Sequence, residues 1–348
     1  MSIQIKDFGK TTAGQPVKVG ILANDTIEVH ILSYGATIQQ LLVPDRKGSK
    51  VDVVLGYPTV QDYELNTCFL GAVVGRYANR IGGGKLTIDG VDYPIARNDG
   101  EAHLHGGNIN FERHTWNVEE GVCHDGAPAL SCGYVSADGE EGYPGRLIAT
   151  VTYILKNNSL IVDYRATTDK PTYCNMTNHA YFNLHGFENP SVLDHKLTIY
   201  ADSFTAVDPK TLLPVGGRPE VAGTAMDFRT EKEIGQDYEN TGLGYPGYDH
   251  NFVLDHKTRK PYEELQLNLA AVCRVPEREM TVLTSMPCMQ LYTGNFLGEG
   301  PDFKGGVKQR KYQAVCFETQ YEPDSPSHGG ARLNPEDIYH QVTVYKMK

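Results

Sequence analysis

Apolar and polar residues alternate in short runs along most of this chain, and glycine, proline, asparagine or aspartate closes each run. Period-two alternation rich in β-branched and aromatic residues predicts strands within residues 26–48, 85–95 and 195–207. Two alternating runs joined by the turn sequence KNNS at residues 156–159 predict a β-hairpin. Helical periodicity is almost absent, and the best short helix candidate lies near residues 230–235. The pattern therefore predicts an all-β protein of packed sheets.

Composition narrows the class of protein. The 348 residues suffice for a full hydrophobic core, and a net charge of -11 with a pI near 5.5 leaves no basic surface for nucleic acid or an anionic membrane. The seven cysteines are odd in number and never form a C-x-x-C pair, which favours reduced thiols over a disulfide framework or a zinc site. Without a recognisable linker, repeat, signal peptide or apolar membrane span, we expect a single cytoplasmic domain over residues 1–348.

A histidine among polar residues is the first candidate for chemistry. The run TNHAYFNLHG at residues 177–186 predicts a strand, so successive side chains point to opposite faces. The apolar face is expected to pack on the core and carries Ala180, Phe182 and Leu184. The polar face is expected to line a wet space and carries Thr177, His179, Tyr181 and Asn183. A histidine there titrates close enough to neutrality to exchange protons, although a structural, hydrogen-bonded histidine is the alternative.

The segment HLHGG places His103 and His105 two residues apart on one predicted strand face. This spacing resembles the H-x-H pattern with which cupins bind a metal. The next glutamate, Glu112, lies farther along than in cupins, and the glycine pair after the histidines suits a turn that lets a ligand approach the backbone. We therefore favour ligand binding and expect no metal.

Three further segments offer polar side chains that suit a hydroxylated ligand. GRYANRI carries Asn79 beside Arg80, whose guanidinium donates to hydroxyls or to a carboxylate; a structural ion pair is the alternative. GYDHNF places Asp249 after a glycine turn, where a carboxylate accepts from vicinal hydroxyls or caps an Asx turn. QLYTGNF puts Gln290 and Tyr292 on one strand face.

A glutamate in a predicted strand completes the set. In QAVCFETQY, Glu318 shares its face with Ala314, Cys316 and Gln320, and the small neighbours leave room for a ligand. Partial burial raises the pKa of a carboxyl group and makes it a usable general base. A solvent-facing charge on an edge strand is the alternative.

In their order along the chain, these segments resemble the aldose 1-epimerase, or galactose mutarotase, family. The resemblance runs from about residue 30 to the C-terminus, and an ordered set is far more specific than any one segment. The matching segments are YGATIQQLLVPDRKG, VGRYANRI, LHGG, DGEEGYPG, TNHAYFNL, GYDHNF, QLYTGNF, ETQ and PDS. The resemblance implies the large twisted antiparallel β-sandwich of that family, the galactose mutarotase-like supersandwich, which agrees with the strand-rich pattern.

The resemblance also implies a role for each matching residue. Glu318 is expected to be the general base and His179 the general acid. The residues expected to hold the sugar are Asn79, Arg80, His105, Asp249 and Gln290. Two departures bear on a loop at the rim of the site and hence on sugar preference: Asn110 stands where the family more often has glycine, and Gly329-Gly330 replace a proline-containing stretch after PDS.

The implied reaction needs one acid and one base held across a cyclic aldose. The base removes the anomeric hydroxyl proton while the acid protonates the ring oxygen, and the open aldehyde then recloses on its other face. His179 suits the acid if neighbouring negative charge keeps it protonated. No metal, nucleotide or covalent intermediate is required, so we expect no cofactor. The expected partner is a free monosaccharide such as galactose or glucose, bound by a monomer or homodimer.

Three other functions compete with this interpretation. A hexose 6-phosphate mutarotase needs extra basic residues, and Arg76 is the spare candidate in these segments. A non-catalytic carbohydrate-binding β-sandwich commonly stacks sugars on exposed aromatic rings, whereas the chain has one tryptophan, Trp116. A glycosidase needs two apposed carboxylates, which Glu318 and Asp249 can supply.

Overall fold

A computed structural model describes residues 2–45, 47–123 and 126–348 of the chain. The first strands are β1 (Ser2–Lys10), β2 (Pro16–Ala23), β3 (Glu28–Leu32), β4 (Thr37–Pro44), β5 (Lys50–Asp52), β6 (Val73–Val74), β7 (Arg80–Ile81), β8 (Lys85–Ile88) and β9 (Val91–Pro94). Next come β10 (His103–Leu104), β11 (Asn117–Val122), β12 (Pro128–Ser136), β13 (Leu147–Lys156), β14 (Ser159–Thr168), β15 (Thr172–Tyr173), β16 (Thr177–Asn178), β17 (Lys196–Ile199) and β18 (Ser203–Phe204). The last are β19 (Lys232–Glu233), β20 (Asp249–Val253), β21 (Lys260–Tyr262), β22 (Leu265–Val275), β23 (Arg278–Thr284), β24 (Cys288–Tyr292), β25 (Cys316–Gln320), β26 (Arg332–Leu333) and β27 (Tyr339–Met347).

Helical structure is confined to short pieces in the described part of the chain. One α-helix, α1 (Val60–Glu64), begins after Thr59, whose hydroxyl accepts a hydrogen bond from the Asp62 amide. The 3-10 turns are Gly82–Gly84, Phe111–Arg113, Glu140–Gly142, Ile234–Gln236, Tyr238–Asn240, Lys304–Gly306 and Ser325–His328. None of the helices described is both long and apolar enough to cross a membrane.

Three sheets contain most of the strands. The five-stranded sheet has the order β1-β2-β3-β4-β5, and the four-stranded sheet has the order β18-β20-β24-β25. The ten-stranded sheet runs β11-β12-β13-β14-β27-β23-β22-β17-β19, with β21 paired to β22. The remaining strands form the pairs β6/β16, β7/β10, β8/β9 and β15/β26. All strand pairs in the described ranges are antiparallel, so neighbouring strands alternate in direction throughout.

One large buried cluster lies between the three sheets. It includes Ile31 from β3, Val151 from β13 and Phe317 from β25, all of which are fully buried. Alternating residues of β13 point into this cluster while their neighbours face outward, which is why the strand reads as alternating apolar and polar in the sequence. The expected all-β antiparallel sandwich is therefore confirmed.

Most of the predicted strands and the hairpin are confirmed, but the predicted helix is wrong. Strands β13 and β14 pair through the two-residue turn Asn157-Asn158, with Asn157 at a positive φ of 54°. Residues 230–235 instead contain β19, which pairs with β17, and the start of a 3-10 turn. A segment this short, with Ile234 as its one apolar residue, does not offset the cost of nucleating an α-helix, whereas pairing with an existing strand supplies hydrogen bonds directly.

Candidate active site

One cavity of about 190 Å³ brings together the polar residues singled out in the sequence. It lies where the four-stranded sheet meets the segments that contain β7, β10 and β16. The seven predicted site residues all line it, namely Asn79, Arg80, His105, His179, Asp249, Gln290 and Glu318. Residues separated by more than 200 positions thus share one pocket, which makes it the candidate active site.

Three neighbouring strands of the four-stranded sheet supply the amide and carboxylate groups. Gln290 of β24 lies directly opposite Glu318 of β25, and Asp249 begins β20 on the other side of β24. The Gln290 Nε2 donates to Asp249 Oδ1 over 2.6 Å. Glu318 is 2% exposed, so the alternative of a solvent-facing edge charge is wrong, although β25 is the outermost strand of this sheet.

Two side-chain oxygens on β24 and β25 are available to a ligand. Glu318 Oε2 and Gln290 Oε1 are buried and accept no hydrogen bond from any described residue. A buried acceptor without a donor costs free energy, so such atoms are normally satisfied by water or a ligand. These two oxygens therefore mark where hydroxyl groups can bind.

The segment around His179 is extended but is not the regular strand that alternation predicted. Strand β16 ends at Asn178, and Phe182 makes isolated bridges to Val54 and Val315. Both sides of the segment are buried because it lies between other segments, so the polar face is only partly a pocket wall. His179 and Tyr181 line the pocket, whereas the Asn183 side chain donates to two backbone carbonyls outside it. The expected core residues are buried as predicted: Ala180, Phe182 and Leu184.

The two histidines of HLHGG have different surroundings. The prediction that they share one strand face is wrong, because His105 has a φ of 53° and leaves β10. His103 is buried between the Ala96 carbonyl and the Tyr143 hydroxyl, at 2.7 and 2.8 Å, and does not line the pocket. His105 alone reaches the pocket, so this pair cannot chelate a metal there.

The hydrogen bonding of His105 favours donation to a ligand over metal binding. The Asn79 amide donates to His105 Nδ1 over 3.1 Å, which leaves Nε2 as the protonated nitrogen of the neutral ring. Burial, together with His179, holds the pKa of His105 well below its usual value, so the ring is neutral. Ligand atoms of His105, His179 and Glu318 do lie within 4.8 Å of one another. A metal on Nε2 would require the other tautomer and the loss of the Asn79 hydrogen bond.

The glycines after His105 are required by close packing. A Cβ on Gly106 would lie 2.0 Å from the Gly75 carbonyl oxygen, and one on Gly107 would lie 2.1 Å from Glu141 Oε2. Both glycines also have a positive φ, which side chains disfavour. The Glu141 carboxylate accepts from the backbone amides of Asn108 and Ile109, over 2.9 Å each, so the loop that carries His105 is held from two sides.

The two arginines of GRYANRI have different roles: Arg76 stabilises the fold, and Arg80 lines the pocket. Arg76 is 2% exposed, and its guanidinium donates to the carbonyls of Pro144, Gly145 and Ala137 and to Ser136. Arg80 lines the pocket, and its Nε donates to Asp99 Oδ2 over 2.7 Å. The Arg76 guanidinium is thus buried and hydrogen-bonded within the protein, whereas a ligand in the pocket can reach Arg80.

The candidate acid and base lie side by side. Glu318 Oε1 is 3.5 Å from His179 Nε2, and Cys316 Sγ is 3.6 Å from His179 Nδ1. Burial lowers the pKa of His179 to about 4, which runs against the expectation that neighbouring negative charge keeps this residue protonated. Burial and the charge of Asp249 raise the pKa of Glu318 well above its usual value. Both shifts disfavour the charged forms, so burial favours the pair in its neutral form, with one proton between the two groups.

Comparison with known proteins shows the family to which this chain belongs. The aldose 1-epimerase family profile matches residues 19–346. Galactose mutarotase of Mus musculus is 40% identical over 346 residues, which cover 97% of this chain and 96% of that protein. Aldose 1-epimerase of Escherichia coli (strain K12) is 36% identical over 96% of each chain. This chain belongs to the aldose 1-epimerase family.

The structural comparison agrees. Galactose 1-epimerase from Lactobacillus acidophilus NCFM matches with a TM-score of 0.85 at 29% identity, over 100% of this chain and 99% of that one. As an aldose 1-epimerase, the protein is an isomerase, and its activity is aldose mutarotation. The family, fold class and activity expected from the sequence are therefore confirmed.

The two departures from the family pattern lie outside the pocket of this aldose 1-epimerase. Asn110 is buried, caps the turn Phe111–Arg113 and donates to the Gly107 carbonyl. Gly329 has a φ of 76° and ends the turn Ser325–His328. Neither residue lines the cavity, so an effect of these departures on sugar preference stays a prediction.

Several lining residues were not singled out in the sequence, although Phe296 lies in the matching segment QLYTGNF. The Phe69 ring lies 4.5 Å from the ring of His105 and 5.9 Å from that of His179, measured between centroids. Asp99 pairs with Arg80, and Phe296 is 56% exposed at the pocket. Each lies in an irregular segment, where alternation does not distinguish a pocket residue from an ordinary loop residue.

Proposed function

We propose that this aldose 1-epimerase interconverts the anomers of free aldohexoses such as galactose and glucose, with Glu318 as general base and His179 as general acid. The observation that carries the proposal is the buried contact between Glu318 Oε1 and His179 Nε2, 3.5 Å apart in a pocket rich in polar side chains. One acid and one base held at a fixed separation are what anomer exchange requires.

The shared proton suits the reaction. Transfer of that proton within the pair converts neutral Glu318 and neutral His179 into a carboxylate and an imidazolium. A sugar that hydrogen-bonds to both groups favours this charged form, because its hydroxyls replace the water lost on burial. The Glu318 carboxylate then takes the anomeric hydroxyl proton and His179 donates its proton to the ring oxygen, while the bond between C1 and the ring oxygen breaks and C1 becomes an aldehyde. The aldehyde rotates about the C1–C2 bond. Ring closure on the other face of the aldehyde reverses both transfers.

The remaining polar groups hold the sugar in this scheme. Neutral His105 donates from Nε2, and Arg80 offers its terminal nitrogens, since Asp99 already occupies its Nε. Asp249 accepts from hydroxyls, and Gln290 bridges Asp249 and the space beside Glu318. Asn79 fixes the His105 tautomer through its backbone amide. Donors and acceptors therefore surround the ring in this scheme.

The charges of the pocket favour a free sugar over a sugar phosphate. Arg80 is the one arginine or lysine that lines the cavity among the described residues, and it faces the carboxyl groups of Asp99, Asp249 and Glu318. Arg76, the cation expected for a phosphate, is enclosed by carbonyl oxygens. A phosphate dianion would meet net negative charge here, whereas anion sites normally gather arginines or backbone amides.

We further propose that residues 1–348 form one domain that acts in the cytoplasm. The large core cluster takes residues from Leu22 to Met347, which supports a single folding unit. Seven cysteines without a disulfide pattern in the sequence support a reducing compartment.

Polarimetry on freshly dissolved sugars tests the proposal. We expect rapid mutarotation of galactose and glucose, and a kcat/KM at least tenfold lower for the hexose 6-phosphates. We expect no release of the aryl alcohol from an aryl galactoside. A higher kcat/KM for a phosphate would transfer the function to sugar phosphates. Aryl galactoside hydrolysis would indicate a glycosidase, and sugar binding without faster mutarotation would indicate a binding module.

A further inference from the structure

The Arg80 guanidinium is held by a carboxylate that no motif contains. Asp99 Oδ2 accepts from Arg80 Nε over 2.7 Å, and the two side chains are 38% and 12% exposed, respectively. Both residues line the pocket. Because this contact uses Nε, it leaves the two terminal nitrogens of Arg80 free to face a bound sugar.

Asp99 is itself held by the loop that positions His105. Asp99 and Ala102 exchange two backbone hydrogen bonds, of 2.9 and 3.1 Å, which close a tight turn. The neighbouring Asn98 side chain bonds to both the amide and the carbonyl of Leu104, and Leu104 pairs with Arg80 between β10 and β7. One short loop therefore carries both Asp99 and His105 against Arg80.

The charges that act on this group come from several elements. Arg80 lies near Asp249 of β20 and Glu318 of β25 and stabilises both carboxylates, whereas Asp99 adds negative charge near Asp249. The other titratable groups that face Arg80 or Asp99 are His105 and Tyr245. The other titratable groups that face Glu318 are His179, Tyr181, Cys316 and Tyr345. Arg80 is the only arginine or lysine in this set, so whatever offsets its charge acts on Glu318.

We propose that Asp99 is a positioning residue for the reaction: it aims the terminal nitrogens of Arg80 at the sugar and offsets the Arg80 charge, which would otherwise weaken Glu318 as a base. This inference rests on the proposed function, in which Arg80 holds the sugar and Glu318 removes the anomeric proton. Asp99 acts through Arg80 and has no contact with the reacting atoms.

Two substitutions separate the two parts of the proposal. Asp99→Asn keeps an oxygen that accepts from Arg80 Nε but removes the negative charge, so we expect KM to stay within about threefold of wild type. The pH limbs of kcat should both move lower by roughly half to one pH unit, because Arg80 then favours deprotonation of the Glu318–His179 pair. Asp99→Ala also releases the guanidinium, and KM should rise about tenfold. Asp99→Glu keeps a negative charge at this position, so its pH limbs should lie closer to those of wild type than the limbs of Asp99→Asn do.

Glu101→Gln is the matched control. Glu101 lies on the same loop and pairs with Arg97 over 2.8 Å, but both side chains are more than half exposed and neither lines the pocket. The Glu101→Gln substitution removes one negative charge from the loop without changing a contact of Arg80, so the KM and the pH limbs of this variant should match those of wild type.

Polarimetric kcat and KM for galactose across pH, measured on all four variants, decide the matter. An Asp99→Asn profile that coincides with that of Glu101→Gln, or an unchanged KM in Asp99→Ala, would overturn the proposal. Failure of the proposed function would be a separate result. A folded Glu318→Gln enzyme with near wild-type kcat would contradict the assignment of Glu318 as the base, whatever the Asp99 variants show.

Discussion

Gly106 provides a sharp test of how the active-site loop is held. Replacing it with alanine adds a Cβ that would lie 2.0 Å from the Gly75 carbonyl oxygen and 2.7 Å from the Arg76 amide nitrogen. Both atoms belong to backbone that is packed against Phe111 and the buried Arg76 side chain. Since such contacts essentially never fall below 3.0 Å, the two segments must separate by about 1 Å.

The magnitude follows from that displacement. His105 immediately precedes Gly106, and a misplacement of about 1 Å in a positioning group costs about 10²-fold in rate. The φ of 88° adds about 1–2 kcal/mol for any residue with a Cβ. We therefore expect Gly106→Ala to lower kcat/KM about 10²-fold and the free energy of unfolding by about 3 kcal/mol in total.

Gly14→Ala is the control for the backbone cost alone. Gly14 has a similar φ of 83°, but beyond its chain neighbours no atom lies within 4 Å of the position that a Cβ would occupy, so only the conformational cost applies. Polarimetry gives kcat/KM, and urea unfolding followed by the fluorescence of the single, buried Trp116 gives stability. Wild-type activity in Gly106→Ala, with a stability equal to that of Gly14→Ala, would refute the packing argument.

Three further predictions concern protons and metals. Burial raises the pKa of Glu112 to about 7 from an ordinary 4.5, so its contribution to stability is complete below pH 4.5 and is lost as pH rises through 7. Relative to wild type, Glu112→Gln should therefore gain about 2–3 kcal/mol of unfolding free energy between pH 5 and pH 8; an equal difference at both pH values in urea titrations would contradict this. His179→Asn should lower kcat by about 10² to 10⁴, and combined with Glu318→Gln the loss should be smaller than the product of the single losses, because acid and base act in one step; fully multiplicative losses would count against a coupled pair. Prolonged treatment with a strong chelator should leave activity intact, with no stoichiometric metal by elemental analysis, whereas joint loss of metal and activity would favour a metal-dependent enzyme.

The strands were predictable because their signal is local. Alternation identifies β3, β4, β13 and β14, since each buries one face against the large core cluster. It also identifies β8, whose Leu86 and Ile88 pack in a smaller cluster, and its partner β9, which has no buried residue. The short helix α1 was not predicted, because five residues carry too little periodicity to register. The error near residues 230–235 has the opposite cause, because a partner strand far along the sequence decides the structure there.

The site was predictable as a set of residues but not as a geometry. Ordered motifs identify the seven lining residues, yet alternation alone placed His103 with His105, because the positive φ of His105 is invisible in the residue pattern. The pKa of His179 is lowered through burial by segments more than 100 residues away in the sequence. The residues next to His179 therefore do not reveal the direction of this pKa shift. Asp99 and Phe69 reach the pocket only through tertiary packing of irregular segments.

Glu318→Gln tests the central claim most directly. The amide keeps the shape and most of the hydrogen bonding of the carboxyl group but cannot accept the anomeric proton, so galactose should bind with a KM near that of wild type. Loss of a positioned general base typically lowers kcat by about 10² to 10⁴. A polarimetric assay on the folded variant should show that loss, and a kcat near wild type would contradict the assignment of Glu318 as the base.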